Sequence, residues 1–288
     1  MAVAQVGGIL FNPAATLVKV EQYCREAASA GASIVVFPEA LLGGYPKGES
    51  FGAVVGRRTP EGRALFGRYW EGAIDVPGPE TAQVQALAGE LSLSITIGVI
   101  ERVGSTLCCT ALVFQPSATL PHIHRKLMPT ACERLIWGFG DGSTMRAVDT
   151  PAGRVGCAIC WENYMPAFRL HMYGQGVELW CAPTVDDREM WRASIRHIAY
   201  EGRCFVLSAC QFTDTISGGS LIVSPMGDVL AGPILTGEGL LTAQIDLAAI
   251  PEGKFDLDVT GHYARPDIFS LEVNTRPQTF IREKESAK

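Results

Sequence analysis

Three polar residues stand at the ends of strand-like runs, and together they supply the parts of a covalent catalyst. Glu39 follows an apolar run and a proline, Lys126 closes a basic triplet, and Cys160 is the last residue of a third run. In α/β sheets, sites gather at the carboxyl ends of strands. A carboxylate base, a cation and a thiol are the minimal set for acyl transfer through a thiol.

The surroundings of Cys160 single it out as the nucleophile. Period-two alternation over residues 153–160 predicts that Cys157 and Cys160 point to opposite faces of a strand, with Cys160 beside the small residues Gly156 and Ala158. A polar turn follows and leads into a helix. Amide donors and a helix dipole at such a turn lower the pKa of a thiol. Cys157, by contrast, fits a buried structural cysteine.

Other uses of these residues remain open. Cys157 and Cys160 formally make a C-x-x-C redox motif, although a redox pair needs both sulfurs at a helix start. A Cys–His hydrolase is a further option, but the sequence singles out none of the five histidines. A zinc site is less favoured because adjacent cysteines on a strand face opposite ways. Its four ligands would be Cys108, Cys109, His122 and His124.

Composition limits the classes of function. The chain has 288 residues, 47% of them hydrophobic and 19% charged, so it can bury a large core and is not a disordered protein. Its 24 Lys and Arg against 30 Asp and Glu give a net charge of −6 at pH 7. This balance lacks the electrostatic footprint of a nucleic-acid binder, and no basic tract is present for anionic lipid.

The sequence also predicts a compartment. No run approaches the roughly 18 consecutive apolar residues of a membrane helix, and the N-terminus shows no basic segment followed by a long apolar one. The nine cysteines are odd in number and irregularly spaced, which does not fit a disulfide framework. We therefore expect a cytoplasmic protein with reduced thiols and no membrane partner.

Short β-rich runs alternate with helical segments along the chain. Apolar residues at helical spacing predict helices over 14–30, 81–91, 165–174 and 187–202. Apolar runs between turn residues predict strands over 33–37, 94–101, 107–115, 118–125, 145–149, 153–160, 204–210, 219–224 and 240–246. Strand–helix–strand units at both ends, with hairpins in the middle, predict two packed mixed sheets with helices outside, in one compact domain.

Three sequence blocks resemble the signature blocks of the carbon–nitrogen hydrolase (nitrilase) superfamily, in its order and at its spacing. They are FPEALLGGYP over 37–46, HRKLMPT over 124–130 and CWENYMP over 160–166. Further segments resemble the true nitrilase branch, namely ERLIWGFGDG over 133–142, EGR over 201–203 and GHYARPDIF over 261–269. The resemblance covers a single domain over 1–274, and a short polar tail follows over 275–288.

The resemblance implies an α/β fold in the form of a four-layer αββα sandwich, in which two mixed β-sheets are flanked by helices. It implies a catalytic triad of Glu39, Lys126 and Cys160, with Glu133 as a second carboxylate that contacts Lys126 or the substrate. It also implies that no metal or organic cofactor is needed. As partner it implies a second copy of the chain, in a homodimer or a higher homo-oligomer such as a spiral.

The branch-like segments favour a nitrilase, which converts an organic nitrile to a carboxylic acid and ammonia through a thioimidate and a thioester on Cys160. Glu39 would be the general base, and Lys126 would stabilise the tetrahedral intermediate. The rings of Tyr45, Trp137 and Trp161 suit an apolar substrate group. The alternatives are an amidase or carbamoylase with the same triad, hydration of a nitrile or cyanide to an amide, and a catalytically silent scaffold protein.

Overall fold

Two six-stranded sheets and a small hairpin make up the β-structure of residues 1–278, the part of the chain that a computed structural model describes. The strands are β1 (Ala2–Gln5), β2 (Ile34–Val36), β3 (Ser94–Val103), β4 (Thr106–Phe114), β5 (His122–Arg125), β6 (Val148–Thr150), β7 (Gly153–Cys157), β8 (Leu179–Thr184), β9 (Phe205–Cys210), β10 (Phe212–Thr213), β11 (Ile216–Ser217), β12 (Ser220–Val223), β13 (Val229–Ile234) and β14 (Gly239–Thr242).

The helices connect and cover these strands. They are α1 (Pro13–Ser29), α2 (Pro60–Glu71), α3 (Pro79–Leu91), α4 (Pro166–Gly174), α5 (Glu189–Gly202) and α6 (Ala249–Asp256). Four of them begin with proline, whose fixed φ and missing N–H suit the first helical position. Among residues 1–278, no helix combines the length and the apolar character needed to cross a bilayer.

Both sheets are mixed, and their parallel strands set the position of the site. The first sheet has the order β14-β1-β2-β3-β4-β5, and the second has the order β13-β12-β9-β8-β7-β6. Strands β1, β2 and β3 run parallel, as do β7, β8 and β9. Strand β5 runs in the direction of β3, because both pair antiparallel with β4. The carboxyl ends of β2, β3 and β5 therefore share one edge of the first sheet.

Alternation along the strands produces four layers. In β1, Ala2 and Ala4 pack in a cluster with residues of α1 and α3, whereas Val3 faces the second sheet. In β8, Trp180 packs with residues of α4 and α5, and Leu179 faces the first sheet. The layers are therefore helices, sheet, sheet and helices. This architecture confirms the expected αββα fold class.

Several elements differ from the sequence-based expectation. The four expected helices are present, but the strand expected over 118–125 begins only at His122. A turn at Pro116 and Ser117 and a bend over 119–120 precede it, and Pro121 has no N–H to donate to a neighbouring strand. The strand expected over 145–149 lies at Val148–Thr150, after a 3₁₀-helix.

Strand β8 was not predicted, since Pro183 interrupts its apolar run. Strand β13 and helices α2 and α6 were not predicted either. Residues 279–288 of the expected tail lie outside the described residues.

Candidate active site

Glu39, Lys126 and Cys160 meet between the two sheets. Glu39 follows β2, Lys126 follows β5 and Cys160 follows β7. Lys126 Nζ donates a hydrogen bond of 2.6 Å to Glu39 Oε1, and both side chains are fully shielded from solvent. Cys160 is also buried, and Glu39 and Lys126 are the strongest charges that act on its thiol. The three strand ends therefore place a carboxylate, an ammonium group and a thiol in one enclosed site.

The backbone of Glu39 is held against strand β3 and the second sheet. A Cβ atom at Gly98 would lie 2.5 Å from the Glu39 Cα, so only glycine at this position allows the close approach. Gln211 Nε2 donates a hydrogen bond of 2.6 Å to the Glu39 carbonyl oxygen. The next residue, Ala40, has a φ of 49°. The carboxylate is thus aimed by a tight turn that both sheets support.

The turn at Cys160 departs from the predicted strand. Strand β7 ends at Cys157, and Cys160 begins a 3₁₀-helix with a left-handed φ of 49°. This conformation breaks the period-two alternation, so Cys157 and Cys160 lie in the same core between the sheets. The prediction that they point to opposite faces is therefore wrong. Asn163 Nδ2 holds the turn by donating hydrogen bonds of 2.8 Å to the carbonyl oxygens of Ala158 and Cys160.

Glu162 ties the nucleophile turn to the segment that carries Lys126. Its Oε2 accepts a hydrogen bond of 2.7 Å from the Ile159 N–H, and its Oε1 accepts one of 2.7 Å from the Leu127 N–H. His124 Nε2 lies 3.0 Å from the same Oε2. One buried carboxylate therefore sets the spacing between the Cys160 turn and the end of β5.

Glu133 is the second carboxylate on Lys126. It lies in a 3₁₀-helix over Ala131–Leu135, and its Oε2 accepts a hydrogen bond of 2.9 Å from Lys126 Nζ. The Tyr45 hydroxyl donates a hydrogen bond of 2.8 Å to Glu133 Oε1. Two carboxylates thus share one ammonium group, and Glu133 also accepts the Tyr45 hydroxyl.

Burial and charge set the protonation of the site. Burial raises the pKa of Glu39, Lys126 lowers it and Glu133 raises it, with a net rise. Burial lowers the pKa of Lys126, but the attraction of Glu39, Cys160 and other groups outweighs this and the pKa lies well above its usual value. Burial and Glu39 hold the pKa of Cys160 well above its usual value, so the lowered pKa expected from the turn is wrong. All three pKa values therefore lie above their usual values, which makes Glu39 a stronger base than an ordinary glutamate and favours the protonated forms of Lys126 and Cys160.

Glu39 has one oxygen that is free to receive a proton. Its Oε1 accepts from Lys126 and lies 3.6 Å from the Cys109 sulfur. Its Oε2 is buried and has no hydrogen-bond partner among residues 1–278. The Cys160 thiol is close enough to lower the pKa of the Glu39 carboxyl group. This oxygen is suited to take the proton of the Cys160 thiol.

A cavity of about 270 Å³ leads towards Glu133 and places two of the three expected pocket residues together. Tyr45 and Trp137 line it with Pro46 and Ile136. Trp137 is buried, and its ring centroid lies 5.7 Å from Lys126 Nζ. Trp161 does not line this cavity. It is 42% exposed, and its Nε1 donates a hydrogen bond of 2.9 Å to Asp186 Oδ2.

The alternative zinc ligands do not converge. Cys109 faces the core between the sheets, and His124 contacts Glu162. Over residues 1–278, no group of three or more His, Cys, Asp or Glu side chains is arranged to hold a metal ion. Of the four, Cys109 instead lies beside Glu39.

Comparison with known proteins assigns the chain to a family. The carbon-nitrogen hydrolase family model matches residues 1–255. The chain belongs to the carbon–nitrogen hydrolase family. Among the relatives of this hydrolase is an aliphatic nitrilase of Sinorhizobium fredii strain HH103, which is 53% identical over 97% of each chain. Another is a bifunctional nitrilase/nitrile hydratase of Lupinus angustifolius, which is 51% identical over 96% of this chain and 87% of its own.

Solved structures agree on the fold of this carbon–nitrogen hydrolase. The NitFhit protein of C. elegans superposes with a TM-score of 0.78 at 20% identity, over 97% of this chain and 68% of its own. At 20% identity, this similarity shows a shared fold and nothing about the reaction.

Several residues of the hydrolase site escaped the sequence analysis. Glu162 and Asn163 stand within the quoted CWEN block, so their position next to Cys160 was the available signal. Gln211 reaches Glu39 from the second sheet, and Gly98 reaches it from the neighbouring strand of the first. Thr184, the last residue of β8, contacts Cys160 from the strand next to β7. All three act from strands distant in sequence, and no local pattern marks them.

Proposed function

We propose that the protein is a nitrilase, which hydrolyses an organic nitrile to the carboxylic acid and ammonia through a covalent adduct on Cys160. The buried pair of Glu39 and Lys126 beside this thiol is the observation that carries the proposal. Identity of about half to nitrilases along nearly the full chain supports the choice of a nitrile over other substrates of the family.

The first half of the reaction forms the adduct. Glu39 Oε2 takes the proton of the Cys160 thiol, and the sulfur attacks the nitrile carbon. One carbon–nitrogen π bond breaks, a carbon–sulfur bond forms, and negative charge develops on nitrogen. The ammonium group of Lys126 stabilises this charge, and protonation of the nitrogen through Glu39 or Glu133 gives a neutral thioimidate.

The second half consumes two water molecules. The first adds to the thioimidate and gives a tetrahedral intermediate, from which protonated nitrogen leaves as ammonia. The resulting thioester is attacked by the second water, which releases the carboxylic acid and restores the thiol. Glu39 is placed to take a proton from each attacking water, because it is the base nearest to the sulfur.

An amide is the alternative product. If the tetrahedral intermediate expels the Cys160 sulfur instead of ammonia, the amide leaves after a single addition of water. The names of several relatives, which are bifunctional nitrilase/nitrile hydratases, favour this side product. The proportion of amide depends on how completely Glu39 and Glu133 protonate the leaving nitrogen.

Turnover of a substrate panel tests the function. Ammonia, acid and amide would be measured for aliphatic and aromatic nitriles, for cyanide and for the matching amides and carbamoyl compounds. We expect nitriles to be turned over faster than the amides, with acid as the main product. Faster turnover of the amides would contradict the proposal, and loss of all products in Cys160→Ala is the control.

We further propose a cytoplasmic homodimer or larger homo-oligomer. All nine cysteines are unpaired, which supports a reducing compartment. The resemblance to nitrilases supports self-association. Sedimentation velocity measures the assembly, and a monomer at micromolar concentration would contradict this proposal.

A further inference from the structure

Thr184 contacts the sulfur of Cys160. It is the last residue of β8, which lies next to β7 in the second sheet, and it is fully buried. Its Oγ1 lies 3.1 Å from Cys160 Sγ. The Thr184 hydroxyl is thus a fourth polar group in the site, and it comes from the same sheet as Cys160.

The direction of this hydrogen bond follows from the other partner of the hydroxyl. The Asp186 N–H donates a hydrogen bond of 2.9 Å to Thr184 Oγ1. That oxygen therefore acts as acceptor towards the backbone, and the hydroxyl hydrogen is left to point elsewhere. Cys160 Sγ is the acceptor that the structure gives it.

The turn after β8 holds the hydroxyl in place. Asp186 Oδ2 accepts from Trp161 Nε1 at 2.9 Å and pairs with Arg188. The residue that follows the nucleophile thus anchors the loop that orients Thr184. The arrangement fixes the donor before the reaction begins, so little reorganisation is needed when charge develops.

The charges around the sulfur explain why a neutral donor is needed. Glu39 faces the sulfur from the end of β2, Lys126 from the end of β5 and Glu133 from its 3₁₀-helix. Lys126 is the single cation among these three, and both carboxylates hydrogen-bond to it. Arg188, in the loop after β8, also acts on Cys160, but it pairs with Asp186. Both cations are thus already paired with carboxylates, and a neutral donor adds stabilisation where the sulfur must become an anion.

We propose that Thr184 is a further catalytic residue, whose hydroxyl donates a hydrogen bond to the Cys160 sulfur and stabilises the thiolate that attacks the substrate. As Glu39 removes the thiol proton, the hydrogen bond from Thr184 becomes charge-assisted and stronger. When the adduct forms, the sulfur loses its charge and the hydrogen bond weakens again. The inference rests on the nucleophilic role proposed for Cys160, but not on the identity of the substrate.

The test compares Thr184→Val, which keeps the shape and removes the hydroxyl, with Thr184→Ser, which keeps the hydroxyl. The rate of Cys160 alkylation by iodoacetamide is measured from pH 6 to pH 10.5, with the modified residue identified by mass spectrometry. Because the pKa of this thiol is raised, the rate over this range follows the small thiolate fraction, and a shift of the profile shows as a changed rate at each pH. We expect T184V to move the alkylation profile by about one to two pH units to higher pH. T184S should stay close to the wild-type profile.

Steady-state kinetics give the second readout. T184V should lower kcat by roughly 10–100-fold, with a smaller change in KM, because the hydrogen bond strengthens only when the sulfur is charged. T184S should rescue most of kcat. If T184V does not fold, as measured by its circular dichroism melt, T184A and T184S form a second pair in which both lack the methyl group and only one has a hydroxyl.

Two results would overturn the inference. One is an unchanged alkylation profile in the variant without the hydroxyl, and the other is an equal shift in both members of a pair. Alkylation does not require a nitrile. If the wild-type protein turns over no nitrile while T184V still shifts the alkylation profile, the proposed function is contradicted and the role of Thr184 stands.

Discussion

The Glu39 carboxylate and the Lys126 ammonium group form a hydrogen-bonded ion pair of 2.6 Å that is completely removed from solvent. Each charge is tolerated in the interior because the other is present. Burial of a lone charge is costly, and the attraction within a pair offsets this cost only when the geometry is good. The pair therefore serves both the fold and the chemistry.

Removal of Lys126 alone should destabilise the protein more than removal of the whole pair. Lys126→Met should lower the free energy of unfolding by about 3–5 kcal/mol, since it leaves Glu39 as an unpaired buried charge. Glu39→Gln should cost less, because Lys126 keeps Glu133 as a partner. Each should also lower kcat by about 10²–10⁴-fold. The double variant should regain much of the stability and none of the activity. Urea unfolding and ammonia release measure these effects, and additive losses of stability would argue against a coupled pair.

Glu133 should influence the pH dependence of turnover as well as its rate. The base form of Glu39 is lost as pH falls through its raised pKa, so kcat/KM should fall on the acid side at a higher pH than is usual for glutamate. Glu133→Gln removes a charge that raises the pKa of Glu39. The acid limb of the pH profile, which is the fall of kcat/KM at low pH, should therefore move to lower pH. Glu133→Ala should reduce kcat by about 10²–10³-fold.

Tyr45→Phe is the matched control for Glu133. It removes a single hydroxyl donor from Glu133 and keeps both carboxylates. We expect its acid limb to remain near the wild-type position. An identical limb in wild type and Glu133→Gln would show that Glu133 does not act on Glu39.

The buried thiols should make stability fall at alkaline pH. Burial holds the pKa of Cys109 and of Cys160 well above the usual thiol value, whereas both thiols ionise near that value in the unfolded chain. Above about pH 8.5 the unfolded state therefore binds fewer protons than the folded state, and the free energy of unfolding falls as pH rises. Cys109→Ala removes one of these thiols. The slope of the free energy of unfolding against pH should then become shallower by up to the contribution of one proton. Urea titrations between pH 7 and 10.5 measure it, and an unchanged slope in the variant would count against the prediction.

Gly98 should be required for the position of Glu39. Gly98→Ala introduces a Cβ 2.5 Å from the Glu39 Cα and should displace the carboxylate, with loss of most activity and lower stability. Gly67→Ala is the matched control. It lies in α2, where an added Cβ meets nothing within 4 Å, and it should raise stability by about 0.5–1 kcal/mol. Full activity in Gly98→Ala would be the contrary outcome.

Glu162 should act as a positioning residue for the nucleophile turn. Glu162→Gln keeps one carbonyl oxygen, which cannot serve both the Ile159 N–H and the Leu127 N–H in their present geometry. We expect a loss of about 1–3 kcal/mol of stability and a fall in kcat with KM little changed. Glu178→Gln, which removes a carboxylate bonded to the Arg154 N–H far from the thiol, should leave kcat unchanged. A fall in kcat of equal size in both variants would contradict a specific role.

Local sequence patterns predicted the layers well and the turns poorly. Glu39 was recognisable because an apolar run ends at a proline and an acid, and the αββα class followed from the order of elements together with the family blocks. The face of Cys160 was predicted wrongly because its left-handed φ is set by Asn163 and Glu162, not by its own residue type. Thr184 was missed because Pro183 concealed the strand that it ends. Contacts between distant segments do not appear in local periodicity.

The proposed nucleophile and its proposed base stand on different sheets, Cys160 after β7 and Glu39 after β2. The apolar layer between the sheets, with Val36 and Leu179 in it, is consequently the spacer that fixes how far a proton travels between sulfur and oxygen. A methylene gained or lost there alters reactivity without touching any reacting group. Substitutions in this interior layer, away from the mouth of the cavity, are therefore worth including when variants are selected for faster turnover.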